Sequence, residues 1–285
     1  MKEHITRRSS LSKIGLTLAG LAALPVAKAA KAAVQNGLAS PSAPKAYDPT
    51  KHKWVMAIDA NRCIGCGLCA EACKKENSVP EGHYFRTWIE RYTILKPKPD
   101  SAEARGETIV DSPNGGLKGF REPPLKPDNQ PVEKAEILHA FFVPKLCNLC
   151  LHSPCAQVCP VGAKFDAPDG AVLVDPTYCI GCGFCIQACP YGCRFLTPET
   201  PETKARGTAG TAQKCTLCYH RITRGLKPAC VEVCPTQTRI FGDLMNPVPN
   251  DPIQQFYKDN RVQTLKPHLG TEPRVLYAGL DKEVR

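Results

Sequence analysis

Aromatic residues make up only 7% of the 285-residue chain, and no long helical period runs through it. Beyond the N-terminus no run approaches the roughly 20 apolar residues a bilayer-spanning helix needs, so membrane attachment would have to come through a partner. Cys-x-x-Cys-His does not occur, which leaves covalent c-type haem without support. His152 and His220 lie near cysteines and read as surface or hydrogen-bonding groups. The glycine-rich Asn114-Gly115-Gly116-Leu117-Lys118-Gly119 does not carry a strand into a helix, as a nucleotide fingerprint must, and reads as a turn. No Ser–His–Asp set, acid/base carboxylate pair or open metal site is visible, so the chain is not expected to be a catalyst. A basic stripe with interleaved aromatics is also missing, which argues against nucleic acid.

What is abundant is proline (27), glycine (21) and above all cysteine (17). The first two point to much irregular backbone. Seventeen thiols mean disulfides, zinc or iron–sulfur clusters.

The N-terminus carries Thr6-Arg7-Arg8-Ser9-Ser10-Leu11, an apolar run over 14–27 and the small-residue series Ala27-Lys28-Ala29-Ala30. This reads as a twin-arginine export signal over residues 1–30, cleaved near Ala29 or a few residues later. The expected location is the periplasmic side of the cytoplasmic membrane.

The formal net charge is +10. Lys2, Arg7, Arg8, Lys13 and Lys28 against Glu3 place +4 of it before residue 30. The rest is about +6, and four oxidised cubanes with thiolate ligands would add about −8. The excess Lys and Arg is thus compensation for buried cluster charge rather than a phosphate-binding face.

Sixteen cysteines fall into four motifs. The first is Cys63-x2-Cys66-x2-Cys69-x3-Cys73, and the second is Cys147-x2-Cys150-x4-Cys155-x3-Cys159-Pro160. The third is Cys179-x2-Cys182-x2-Cys185-x3-Cys189-Pro190, and the last is Cys215-x2-Cys218-x11-Cys230-x3-Cys234-Pro235. Cys193 is left over. A loop with cysteines at steps of three curls around one cubane, and the fourth cysteine, on the helix that follows, ligates the other cluster in two-cluster ferredoxins. Structural zinc uses spaced Cys-x2-Cys pairs, and cysteines at these steps could not all pair as disulfides.

An internal repeat supports the same reading. Residues 58–69 align without a gap on 174–185, each after a short expected strand, 54–58 and 171–174. Gly65, Gly67, Gly181 and Gly183 let the loops approach a cluster. Cys159-Pro160-Val161-Gly162-Ala163-Lys164-Phe165 aligns with Cys189-Pro190-Tyr191-Gly192-Cys193-Arg194-Phe195 and with Cys234-Pro235-Thr236-Gln237-Thr238-Arg239-Ile240. Cys193 thus corresponds to Ala163 and Thr238 and reads as a small buried side chain beside a cluster. Asp169-Gly170 signals a hairpin.

These motifs in this order, behind a twin-arginine signal, resemble the four-cluster iron–sulfur subunits of membrane-bound oxidoreductases. Those include molybdopterin enzymes for tetrathionate, polysulfide, dimethyl sulfoxide and formate, and a sulfate-reducer complex with a multihaem cytochrome c. Leu146-Cys147-Asn148-Leu149-Cys150, Lys214-Cys215-Thr216-Leu217-Cys218 and Arg239-Ile240-Phe241-Gly242-Asp243 carry the resemblance, as do Lys266-Pro267 and Leu276-Tyr277-Ala278-Gly279-Leu280.

The resemblance implies an α+β fold with two ferredoxin-like two-cluster modules, long irregular loops and an extended C-terminal arm. The outer module would span 50–95 plus 205–245, and the inner one 137–204. Between them, the stretch 96–136, rich in proline, glycine and charge, reads by its own composition as an irregular insertion, unstructured alone or packed on a partner. The arm, 246–285, would lie on another subunit. Four [4Fe–4S] clusters are implied. The first takes Cys63, Cys66, Cys69 and Cys234; the second takes Cys215, Cys218, Cys230 and Cys73. The third takes Cys147, Cys150, Cys155 and Cys189; the fourth takes Cys179, Cys182, Cys185 and Cys159. The implied partners are a polytopic quinone-binding membrane subunit and a molybdopterin catalytic subunit or multihaem cytochrome c. The alternative is a free periplasmic polyferredoxin. Lys74 and Lys75, where no proline follows Cys73, are expected to prolong the helix and set positive charge beside a cluster.

Overall fold

A computed structural model describes residues 47–99 and 105–284. The export signal expected over 1–30 lies outside the described residues. Among them, no helix is long and apolar enough to cross a membrane.

The elements follow the motifs in chain order. Strand β1 (Trp54–Asp59) leads into the first cysteine loop and helix α1 (Leu68–Asn77). Strands β2 (Thr87–Leu95), β3 (Thr108–Asp111) and β4 (Ile137–Leu146) come next. The second motif contributes α2 (Pro154–Gln157), and the hairpin β5 (Lys164–Asp166) and β6 (Val172–Val174) leads to α3 (Phe184–Gln187). Then come β7 (Phe195–Leu196), α4 (Pro201–Ala205) and β8 (Ala212–Gln213). The fourth motif carries α5 (Tyr219–Ile222) and α6 (Ala229–Glu232), and the chain ends with β9 (Arg239–Asp243), α7 (Pro252–Asp259) and β10 (Val275–Ala278).

Helix α1 shows why the missing proline matters. It starts at Gly67 in the left-handed region and runs ten residues to Ser78, also left-handed, whereas α3 runs four. In the second and third motifs the residue after the fourth cysteine is proline, which cannot continue a helix. Cys73 is followed by Lys74, and the helix runs on as expected.

The strand before one motif pairs with the strand after another. β1 pairs antiparallel with β9, Trp54 opposite Asp243 and Ile58 opposite Arg239. β5 pairs antiparallel with β6 around the Asp169-Gly170 turn, as the sequence leads one to expect. The first pairing joins the first motif to the fourth, and the second joins the second to the third. The helices follow suit, α1 packing on α6 and α2 on α3.

β1 is apolar on both faces, burying Val55, Met56, Ala57 and Ile58. Met56 and Ile58 face the main core with Ile89, Tyr92, Val143, Leu146, Leu217 and Tyr277. Val55 and Ala57 face Ile253 and Phe256 of α7. Asp251 starts that helix by accepting a hydrogen bond from the Ile253 N–H at 2.8 Å. A strand covered on both sides reads as a continuous apolar run.

Two segments read as an extended arm and an irregular insertion are folded onto this chain's own strands. The C-terminal arm packs on its own chain: β10 pairs parallel with β1, Met56 opposite Val275, and the Tyr277 hydroxyl donates to the Pro144 carbonyl at 3.0 Å. The insertion, where described, is also folded against the chain's own strands. β3 pairs with β2, Arg91 Nε donates to Asp111 Oδ1 at 2.8 Å, and the Lys118 N–H reaches Glu71 Oε1 at 3.1 Å. The expected turn at Asn114-Gly115 is present, with φ +47° and +64°.

Candidate iron–sulfur sites

Gly65 and Gly67 hold the first loop in left-handed conformations, φ +68° and +84°. Their counterparts Gly181 and Gly183 have φ +70° and +78°. A Cβ on Gly67 would lie 2.2 Å from the Gly116 carbonyl oxygen, and one on Gly181 would lie 2.4 Å from that of Gly210. The loops are therefore clamped between the cysteines and neighbouring backbone.

Three spaces are each lined by cysteines of two motifs. Cys73 shares one with Cys215, Cys218 and Cys230. Cys189 shares the second with Cys147, Cys150 and Cys155. Cys159 shares the third with Cys179, Cys182 and Cys185. Burial pushes the Cys63 thiol up to about 11, and Cys69 and Cys234 are the thiols that act on it. Cys66 sits on the same loop.

Among the described residues, no three His, Cys, Asp or Glu side chains converge as a single ion would require. Zinc would draw four sulfurs to about 2.3 Å from one point. Here the sulfurs surround spaces, the arrangement a multi-atom group needs. Burial also raises Cys73 well above its ordinary value, with Cys215, Cys230 and Cys218 adding to it, and raises Cys185 to about 12. Bound iron would reverse this, because a coordinating thiol loses its proton outright.

Buried cations complete the sites. Lys164, Arg194 and Arg239 are 6%, 6% and 2% exposed. Lys164 Nζ, Arg194 Nε and Nη1, and Arg239 Nε have no hydrogen-bond partner. Arg194 Nη2 donates to Cys155 Sγ, and Arg239 Nη1 lies 3.9 Å from Cys230 Sγ. Arg86 lines the Cys73 space, and its Nε is likewise without a partner. Unpaired buried charge is costly, and an anionic cluster in each space would supply the missing partner. The residues thus fit the group.

Sequence reasoning missed Arg86, which has no place in the repeat. It also misassigned Lys74. The Lys74 ammonium turns to the Pro80 and Gly82 carbonyls at 2.7 and 3.2 Å and stacks over Phe85, while Lys75 is exposed. Asn77, at the end of the prolonged helix, instead points Nδ2 at Cys73 Sγ and Cys218 Sγ, 3.6 Å from each. His220 bonds Glu76 at 2.7 Å and His152 pairs with Glu272 at 3.4 Å, both surface contacts as expected.

Cysteine quartets lining shared spaces, beside buried cations, define a protein of the 4Fe–4S-binding class. Comparison with known proteins agrees: residues 138–244 match a family described as a 4Fe-4S dicluster domain, and 54–75 match a 4Fe-4S binding domain. The chain is 34% identical over 277 residues to a subunit of tetrathionate reductase from Salmonella typhimurium, covering 97% of this chain and 89% of the relative. It is 35% identical to an iron-sulfur subunit of the Hdr-like menaquinol oxidoreductase of Archaeoglobus fulgidus, covering 82% and 86%. It is also 35% identical to protein NrfC of Escherichia coli, covering 78% and 79%. The chain belongs to this family of iron–sulfur electron-transfer subunits of reductase complexes.

Proposed function

We propose that this chain carries single electrons through four [4Fe–4S] clusters between a periplasmic redox partner and a quinone-reactive membrane subunit. The partner is a molybdopterin catalytic subunit or a multihaem cytochrome c. The observation that carries the reading is that cysteines of two motifs line each of the three spaces, and that Cys234 acts on Cys63, first motif with fourth and second with third. On this reading Cys63, Cys66, Cys69 and Cys234 hold the first cluster, and Cys215, Cys218, Cys230 and Cys73 the second. Cys147, Cys150, Cys155 and Cys189 hold the third, and Cys179, Cys182, Cys185 and Cys159 the fourth. When bound, a cluster supplies one-electron redox chemistry. The chain's own residues exclude water, fix the thiolates and set the local charge.

An apolar collar supports the orientation. Val161 and Ile180 line the space of Cys182, itself exposed, and are 40% and 65% exposed, and Tyr178 and Phe184, near Cys182 in the third motif, are 67% and 54% exposed. Exposed apolar surface of this kind marks a contact site, and we assign it to the membrane subunit. The names of the tetrathionate reductase and menaquinol oxidoreductase relatives suit such a complex.

Iron and sulfide analysis of the protein purified with its partners tests the cofactor reading. About sixteen of each are expected from four cubanes, and zinc-filled, colourless protein would overturn it. Recovery of the native protein alone, never with a membrane subunit, would favour the free carrier.

A further inference from the structure

We infer that the basic residue five positions after the last cysteine of the second and third motifs is the counter-charge of the cluster which that cysteine helps to hold, and that it raises that cluster's potential. The inference rests on the ligand sets proposed above.

Three observations meet at this position. The first is the repeat, which aligns Lys164, Arg194 and Arg239. The second is placement. Lys164 opens β5 and lines the space of Cys159, Cys179, Cys182 and Cys185. Arg194 precedes β7 and lines the space of Cys147, Cys150, Cys155 and Cys189, donating to Cys155 Sγ. Each cation therefore lines the space into which its own preceding cysteine reaches. Arg239 opens β9 between Cys69 and Cys230, tied by Nη2 to Thr87 Oγ1 at 2.7 Å. The third observation is the lack of any other partner: Lys164 Nζ and two Arg194 nitrogens have none.

The departure in the first motif fits the same physics. The fifth position after Cys73 is Ser78, at the end of the prolonged helix. There the cation comes from Arg86 instead, which lines the Cys73 space and bonds Asn77 Oδ1 at 3.0 Å. One electron makes a cluster one charge more negative. A fixed cation a few ångströms away, shielded from water, stabilises the reduced form more than the oxidised one. Lysine acts as a compact charge, whereas arginine also donates to the ligand sulfur. The two clusters are thus tuned by different chemistry at one structural position.

The test is an electron-paramagnetic-resonance redox titration of the protein in its native complex, after iron and sulfide analysis. Arg194→Gln is expected to lower one midpoint, shifting that cluster's equilibrium at least tenfold, or ~59 mV for one electron. Lys164→Gln should lower a different midpoint by a similar factor, leaving the others in place. Arg194→Lys and Lys164→Arg should restore most of each shift. A variant that loses one cluster supports the inference if the charge-conserving substitution regains it, and overturns it if not. Unmoved midpoints at full iron content, or one signal moved by both variants, would overturn the counter-charge role alone. A wild-type protein with fewer than four clusters would instead overturn the ligand sets beneath it.

Discussion

Cys193 Sγ lies 3.4 Å from Cys189 Sγ, and Cys193, 1% exposed, lines the same space as Cys147, Cys150, Cys155 and Cys189. Its contacts with Cys147 and Cys189 hold the Cys193 thiol well above its ordinary value, and the same contact draws Cys189 down to about 7. With Cys147 and Cys189 as iron-bound thiolates of the proposed cluster, Cys193 is the thiol left to donate to ligand sulfur.

Cys193→Ala should keep a full complement of iron, because Ala163 fills the equivalent position at 1% exposure. It should lower the potential of one cluster, since a donor to its sulfur is gone. Loss of one cluster's iron in this variant would instead make Cys193 a ligand.

Cys73→Ser separates crossed from local ligation. The cluster proposed for Cys215, Cys218 and Cys230 should be lost or converted, while that of Cys63, Cys66 and Cys69 persists. Iron quantitation and spectroscopy of single clusters read this out. Damage confined to the Cys63 cluster would contradict the crossed arrangement.

Two equivalent glycines should differ in cost. Gly183 has φ +78° with nothing near its missing Cβ, so Gly183→Ala should cost only the left-handed strain, about 1–2 kcal/mol. Gly67→Ala meets that strain and a backbone oxygen of the insertion at 2.2 Å. It should be the more destabilising of the two by thermal or denaturant midpoint. Equal midpoints would show that the insertion does not clamp this loop.

The C-terminal arm should be required for folding. Removing residues 263–285 strips β10 from β1 and uncovers Met56 and Ile58, which are fully buried. The truncated protein should be iron-poor and protease-sensitive. Tyr277→Phe is a milder probe: it removes the donor to the buried Pro144 carbonyl, at a cost of about 1–3 kcal/mol. A soluble, iron-replete truncation would return the arm to the role of a tether for another subunit.

The cysteine spacing, the glycines of the loops and the Asp169-Gly170 hairpin were legible in the sequence because each is a local relation. Chain geometry over a few residues dictates it, and the repeat shows it twice. The longer α1 was legible for the same reason: proline at a helix end acts through its own ring and missing N–H. The sequence by itself thus determined which cysteines stand on loops, which on helices, and where the basic residue follows them. Tertiary structure alone decided the rest. A polar, proline-punctuated tail gave no sign that β10 would lie parallel to β1, since strand pairing between distant segments depends on register and on both covered faces. Nor could sequence tell Lys74 from Arg86 as the cation beside Cys73. Both have long side chains, and the nearby Pro80 and Gly82 carbonyls capture the ammonium, while the approach to β2 carries the guanidinium to the cysteines.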